Sequence, residues 1–98
     1  MATFIVLITE TQKGEQHIQE SVARALNFKE MAKDFNVTVT EQYWCLGECD
    51  GVLIFDAPDD ETAAALLQSL TSKGAVRTRT MRAFSADEMK AIVSRMEG

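Results

Sequence analysis

Two uninterrupted apolar segments constrain the fold of this 98-residue chain more than any other feature. They run from Phe4 to Ile8 and from Val52 to Phe55, and neither offers a polar side chain to water. Each is therefore predicted to be a β-strand covered on both faces, the second within a strand from Cys49 to Asp56. Two further segments, from Val37 to Leu46 and from Ala75 to Phe84, alternate between polar and apolar residues and are predicted to be strands with unequal faces.

Three segments have the apolar spacing of amphipathic helices. The first is predicted to run without a break from Gly14 to Phe35. The second is predicted to follow Asp59, whose carboxylate suits an N-cap, and to reach Ser72. The third starts at the segment from Ser85 to Glu88, which has the residue types of a capping box. The apolar positions of these helices are Ile18, Val22, Ala25, Ala32 and Phe35, then Ala63, Leu66, Leu67 and Leu70, then Met89, Ile92, Val93 and Met96.

The order of these elements is β-α-β-β-α-β with an extra C-terminal helix, which predicts an α+β fold with ferredoxin-like topology. In that topology the first and third strands lie at the centre of an antiparallel sheet, and the second and fourth form its edges. The two fully apolar strands are the first and the third, in agreement with this arrangement. No stretch of the sequence has the composition of a linker, so residues 1–98 are predicted to form a single domain.

The predicted fold leaves one face of the sheet without a cover. Right-handed crossovers place both intervening helices on the same face. The opposite face still carries apolar side chains from the central strands, and such a patch on a small domain calls for a partner. The C-terminal helix could cover part of this face, but a second copy of the sheet is the better candidate. We therefore expect a homodimer in which two sheets pack together as a dimeric α+β barrel. The helix-covered face is expected to be filled at native density, so that a ligand would bind at the dimer interface.

Composition argues against several classes of function. The net charge of −5 disfavours binding to nucleic acid and to anionic membrane surfaces. The longest apolar run, from Phe4 to Ile8, is too short to span a bilayer. The N-terminus lacks the basic region of a signal peptide and the chain has only two cysteines, so we expect a cytoplasmic location. The sequence contains no motif for a metal ion or an organic cofactor, and neither is expected.

The segments from Tyr43 to Gly51 and from Asp56 to Glu61 resemble the GYD domain family. The segment from Thr3 to Thr9 is similar to the family's first strand, and that from Val76 to Phe84 to its last. The family carries Gly-x-Tyr-Asp at its hairpin, where this chain has Gly-Glu-Cys-Asp and so carries Cys49 in place of the tyrosine. The resemblance implies a ferredoxin-like fold related to dimeric α+β barrel proteins, and it implies no particular activity.

Four polar residues are candidates for a ligand site at the predicted interface. Alternation along the second strand places Val37, Val39, Tyr43 and Cys45 on one face and Trp44 on the other, and we expect Tyr43 to face the interface. Asp50 would lie near the rim, although turn capping explains it equally. Arg79 or Arg82 would supply a cation at the strand edge, where arginines also prevent edge-to-edge aggregation.

The two cysteines and the single histidine leave alternatives open. Cys45 and Cys49 flank the hairpin turn and are predicted to sit opposite each other, as two small free thiols, a redox pair or half of a metal site. The spacing differs from the Cys-x-x-Cys of either functional class. His17 near the start of the long helix is either a surface residue or a general base, and only the second interpretation needs a facing carboxylate.

Three functions remain in competition. The first is a binding or assembly module for a protein partner or for a small, partly apolar molecule with an anionic or carbonyl group. The second is a small cofactor-independent enzyme, such as an isomerase or monooxygenase, which would need His17, Asp50 or Tyr43 to converge in a cavity. The third is a structural dimer without a ligand. The first is favoured, and whether the chain is an enzyme is left undecided, because a fold alone does not fix a function.

Overall fold

A computed structural model describes residues 1–96 of the chain as a four-stranded antiparallel sheet with four helices. The strands are ordered β2-β3-β1-β4, so the predicted α+β ferredoxin-like fold is confirmed, with the first and third strands at the centre. The elements are β1 (Ala2–Glu10), α1 (Gln12–Gln16), α2 (Ser21–Asp34), β2 (Thr38–Trp44), β3 (Gly51–Ala57), α3 (Asp60–Thr71), β4 (Val76–Ala83) and α4 (Ala86–Met96).

The two faces of the sheet differ in burial, as strand alternation requires. On the covered face, which carries α2 and α3, Phe4 pairs with Phe55 and Val6 with Leu53, and all four side chains are at most 7% exposed. The rings of Phe4 and Phe55 stack with centroids 5.4 Å apart. On the open face, Ile5 pairs with Ile54 and Leu7 with Val52, and these four residues are only half-buried.

Strand β2 contains a β-bulge that the alternating pattern did not reveal. Val39 pairs with Phe55 on the covered face, yet Glu41 pairs with the next residue of β3, Ile54, on the open face. One extra residue, Thr40, therefore reverses the parity of the strand. The prediction that Val37 and Val39 share a face with Tyr43 was wrong for this reason.

The predicted long helix is interrupted, which changes the face that it buries. Helix α1 is followed by His17, whose φ of −119° and ψ of 33° are not helical, and a short 3-10 turn at Ile18–Glu20 leads into α2. The interruption shifts the phase of the apolar stripe, so that Phe28 and Ala32 are buried against the sheet. Ile18 and Val22, which were predicted to pack there, are 49% and 55% exposed.

The helix boundaries follow the predicted capping chemistry. Asp59 accepts a hydrogen bond from the Thr62 amide at 2.7 Å and caps α3. At α4, the Ser85 amide donates to Glu88 Oε1 at 2.8 Å and the Glu88 amide donates to Ser85 Oγ at 3.1 Å, which is a complete capping box. Just beyond the end of α2, Asn36 adopts a left-handed φ of 60° and turns the chain into β2.

Candidate functional site

The open face of the sheet combines an apolar centre with polar edges. Tyr43, Val52, Leu7 and Arg79 form one row across the four strands, because each pairs with the next in the register of the sheet. The adjacent row consists of Glu41, Ile54, Ile5 and Met81. Apolar side chains thus occupy the two central strands, with Met81 beside them on β4.

The two edges of the open face carry opposite charges. Arg77 and Arg79 project from β4, whereas Glu41 projects from β2. The Tyr43 hydroxyl donates to Glu41 Oε2 at 2.7 Å. This hydrogen bond and the charge of the same carboxylate raise the pKa of the Tyr43 phenol above its ordinary value. The phenol is therefore neutral at physiological pH.

Asp50 fastens the β2–β3 hairpin to the end of β1. Its carboxylate Oδ2 accepts from the Glu10 amide at 2.7 Å, and its own amide donates to the Ile8 carbonyl at 2.8 Å. Its carbonyl also accepts from the Cys45 amide at 2.9 Å. In these contacts Asp50 caps the turn, which is one of the two roles that the sequence allowed; the other was a position at the rim of a ligand site.

Arg82 lies on the opposite face from Arg79, and its guanidinium is engaged within the chain. It stacks over the Phe84 ring at 4.5 Å and the Phe4 ring at 5.6 Å. It also donates to the carbonyls of Thr3 and Ala83. Within one copy of the chain, the structure therefore brings neither Arg82 nor Asp50 into the row that contains Tyr43 and Arg79.

Cys45 and Cys49 lie at the tip of the hairpin as free, half-buried thiols. Cys45 is bonded through its amide to Asp50 rather than standing opposite Cys49, so the loop is one residue longer than predicted. Burial, and then the neighbouring Cys49, raises the pKa of the Cys45 thiol.

Of the three polar groups that an enzyme mechanism would need, Asp50 and Tyr43 line a common cavity, but His17 does not. The His17 imidazole is exposed and lies 3.6 Å from the Glu20 carboxylate, which is the surface arrangement considered for it. Asp50 and Tyr43 are bonded to Glu10 and Glu41 respectively. Within residues 1–96 no three histidine, cysteine or acidic side chains are grouped as metal ligands would be.

A cavity of about 340 Å³ lies on the covered face, between α2, α3 and the end of β1, and we call it the α2 cavity. The expectation that this face is completely filled was wrong. At the polar end of the cavity, Arg24 Nη2 donates to Glu10 Oε1 at 2.8 Å. The cavity persists because Ala25 and Gly51 are too small to fill the space between the helix and the sheet.

Sequence reasoning missed Glu10 and Arg24, although a signal for Glu10 was present. Glu10 continues the parity of Phe4, Val6 and Ile8, which places a carboxylate on the covered face. Arg24 precedes Ala25 on α2 and belongs to the side of the helix that faces the sheet. A charge that continues the parity of a buried strand face is the signal for Glu10. The predicted helix turned Ile18 and Val22 to the sheet and therefore gave no signal for Arg24.

Comparison with known proteins identifies relatives along most of the chain. A protein of Thermus thermophilus named glutamine synthetase and cystathionine beta-lyase binding protein is 36% identical over 92 residues, which are 93% of this chain and 97% of that protein. The crystal structure of TTHA0845 from the same organism is 27% identical and superposes with a TM-score of 0.56, over 88% of this chain and 96% of that one.

Two further solved structures share the fold at 21% identity. They are a mutant of Rv3291c and the feast or famine regulatory protein of M. tuberculosis complexed with L-methionine, with TM-scores of 0.67 and 0.63. The match covers 88% of this chain, which spans about half (52%) of each of those longer proteins.

Two findings bear on the class of protein. None of the helices found between residues 1 and 96 is both long and apolar enough to cross a membrane. The model of the GYD domain matches residues 4–93, which include β2, β3 and β4 and most of β1 and α4. This chain therefore belongs to the GYD domain family.

Proposed function

We propose that residues 1–98 form one domain that acts as a homodimeric binding module for a metabolic enzyme. The observation that carries the dimer is the open face, where Ile5, Leu7, Val52 and Ile54 are only partly buried at the centre of the sheet. An apolar patch of this kind is stabilised when a partner removes it from water. A second copy of the same face is the partner that we propose.

The charges at the two edges favour one arrangement of the pair. A two-fold axis parallel to the strands and between the sheets would lay β4 of one copy over β2 of the other. Arg79 would then face Glu41 and Tyr43 of the second copy, since Tyr43 and Arg79 share a row. The opposite charges favour this orientation over the alternative, in which β4 would face β4 and β2 would face β2 of the second copy.

The same arrangement unites the two residues expected to bind a small ligand. Tyr43 and Arg79 are separated by two strands within one copy, so a molecule with an anionic or carbonyl group would contact both only across the dimer. We propose this as a secondary site of the module.

The enzyme partner is suggested by the 36% identical relative, whose name states that it binds glutamine synthetase and cystathionine beta-lyase. An apolar stripe that starts in the 3-10 turn before α2 and continues along its outer side is the proposed contact surface, because it remains exposed after the open faces pair. We call it the outer stripe of α2. Its members Ile18, Val22 and Leu26 are spaced four residues apart and are 49%, 55% and 58% exposed. We further propose a cytoplasmic location, where free thiols persist and such enzymes occur.

Light scattering on a size-exclusion column tests the dimer. The wild type is expected to have the mass of two chains at micromolar concentration, and Leu7→Arg the mass of one, because a buried arginine would face apolar residues of both copies. Ala23→Arg, on an exposed position of α2, is the matched control and should keep the dimer mass. A wild-type protein with the mass of one chain would overturn the dimer.

Binding to immobilised glutamine synthetase and cystathionine beta-lyase from the source organism tests the partner. We expect saturable binding that Leu26→Glu abolishes while the dimer mass is unchanged. Gln68→Glu adds the same charge on the exposed side of α3, away from this stripe, and should retain binding. Failure to bind either enzyme would contradict the proposed partner without affecting the dimer.

A further inference from the structure

The polar end of the α2 cavity has hydrogen-bonding capacity that the chain does not use. The Glu10 side chain is only 9% exposed, and its strong bond is the one from Arg24 Nη2 to Oε1. The second contact, between Arg24 Nη1 and Glu10 Oε2, is 3.5 Å long and therefore weak. Among the described residues, buried Arg24 Nε has no hydrogen-bond partner. The Glu10 carboxylate thus retains hydrogen-bonding capacity on Oε2, and the Arg24 side chain, which is 28% exposed, is the member of the pair that a ligand can reach.

Most of the remaining surface of the α2 cavity is apolar, and the cavity has the size of a small metabolite. Asp50 and Lys73 also line it, and their opposite charges leave the lining without a net charge. Its volume of about 340 Å³ is that of about eleven water molecules in the liquid, at about 30 Å³ each. Such a space suits a ligand with a short apolar body and one polar end. The apolar lining comprises Ile8, Phe28, Met31, Leu53, Leu70 and Val76.

The charge of the polar end restricts the ligand further. A simple carboxylate approaching Arg24 would be repelled by the buried Glu10, and a simple amine approaching Glu10 would be repelled by Arg24. A zwitterion satisfies both, because its carboxylate and its ammonium group complement the two members of the pair. Transfer of a single charge into this site would leave it uncompensated, whereas a zwitterion keeps the site neutral.

We infer that the α2 cavity binds an apolar α-amino acid, with the carboxylate directed to Arg24, the ammonium group to Glu10 and the side chain between α2 and the sheet. This site shares Tyr43 and Val52 with the strands of the open face and Ile18 with the outer stripe of α2. The positions substituted to test the three sites are not shared: Ala25 lines the cavity, whereas Leu7 and Leu26 do not. Occupancy of the α2 cavity would stabilise the packing of α2 on the sheet.

Calorimetric titration with L-leucine, L-methionine and L-phenylalanine tests the inference. At least one is expected to bind, and to raise the melting temperature. Isocaproate, which lacks the amino group of leucine, and isoamylamine, which lacks its carboxylate, are expected to bind at least about tenfold more weakly than leucine. Equal binding of either analogue, or no binding of any of the three amino acids at millimolar concentration, would overturn the inference.

A cavity-filling variant locates the site. Ala25→Leu places a larger side chain in the α2 cavity and is expected to abolish amino-acid binding while preserving or raising the melting temperature of the free protein. Ala23→Leu makes the same change on the exposed side of α2 and should bind as the wild type does. Unchanged binding by Ala25→Leu would place the ligand elsewhere and refute the assignment. The dimer mass and the enzyme-binding assays are separate readouts, so either proposal can fail alone.

Discussion

The two faces of the sheet carry equally apolar central strands but differ in what covers them. Phe4, Val6, Leu53 and Phe55 are 0–7% exposed beneath the helices, whereas their sequence neighbours on the open face stay only partly buried. The difference teaches that an apolar strand predicts that its side chains must be covered. It does not predict whether the same chain or a second molecule covers them. On one face the chain supplies the cover from its own helices, and on the other we propose that a second copy does.

A matched pair of leucine substitutions, one on each face, is expected to give the largest difference in the free energy of unfolding. Leu53→Ala on the covered face is expected to lower the free energy of unfolding by about 2–5 kcal/mol, because the cavity it leaves cannot collapse fully. Leu7→Ala on the open face should cost only about 1 kcal/mol in dilute protein and more as the concentration rises, since part of its burial depends on dimerisation. Urea unfolding at two protein concentrations measures both. Equal, concentration-independent losses would remove the distinction between the faces.

A substitution at Gly14 tests how closely α1 packs against the backbone that precedes β4. A β-carbon added to Gly14 of α1 would clash with the carbonyl oxygen of Ala75, which already accepts a hydrogen bond from the Thr11 amide at 3.0 Å. Although alanine usually stabilises a helix relative to glycine, Gly14→Ala is expected to cost about 1–3 kcal/mol because backbone must move. Thermal unfolding beside Gln12→Ala, an exposed position in the same helix, provides the comparison. Stabilisation by Gly14→Ala would mean that this contact is loose.

Exchanging the charges of Arg79 and Glu41 tests the proposed orientation of the dimer. Arg79→Glu should weaken the dimer by about tenfold in Kd, since it sets like charges against Glu41 across the proposed interface. The double change Arg79→Glu with Glu41→Arg restores opposite charges and should recover most of the affinity. Sedimentation equilibrium at low salt measures the dissociation constants. A double variant as weak as the single one would reject the proposed axis while leaving the dimer itself intact.

The hairpin tip belongs to neither face, and the smallest effect is expected there. Because its pKa is raised, less Cys45 is thiolate at neutral pH, so iodoacetamide should modify it more slowly than free cysteine. The rate difference should shrink as the pH rises through that raised pKa. Peptide mapping by mass spectrometry follows the reaction.

The two cysteines are not expected to be needed for folding. The double variant Cys45→Ser with Cys49→Ser should stay folded, and a wild-type melting temperature that falls on adding reductant would reveal a structural disulfide.

Local sequence patterns determined which segments form the central strands and where two of the helices begin. The apolar segments at Phe4–Ile8 and Val52–Phe55 identified the central strands, and the residues at Asp59 and Ser85 identified two helix starts. These features are encoded by neighbours within a few positions, where alternation and capping chemistry act directly. The resemblance at the β2–β3 hairpin was likewise sufficient to indicate the family that the match over residues 4–93 confirms.

Tertiary structure decided the orientation of side chains and the location of empty space. The bulge at Thr40 turned Tyr43 away from Val39, and the break at His17 rotated the buried side of α2 towards Phe28. A one-residue irregularity changes the face of every later side chain, and no periodic pattern records it. The ion pair of Glu10 with Arg24 joins residues 14 positions apart. Only the packing of α2 on the sheet brings them together and leaves a cavity beside them, because volume depends on the distance between elements and not on the sequence of any one.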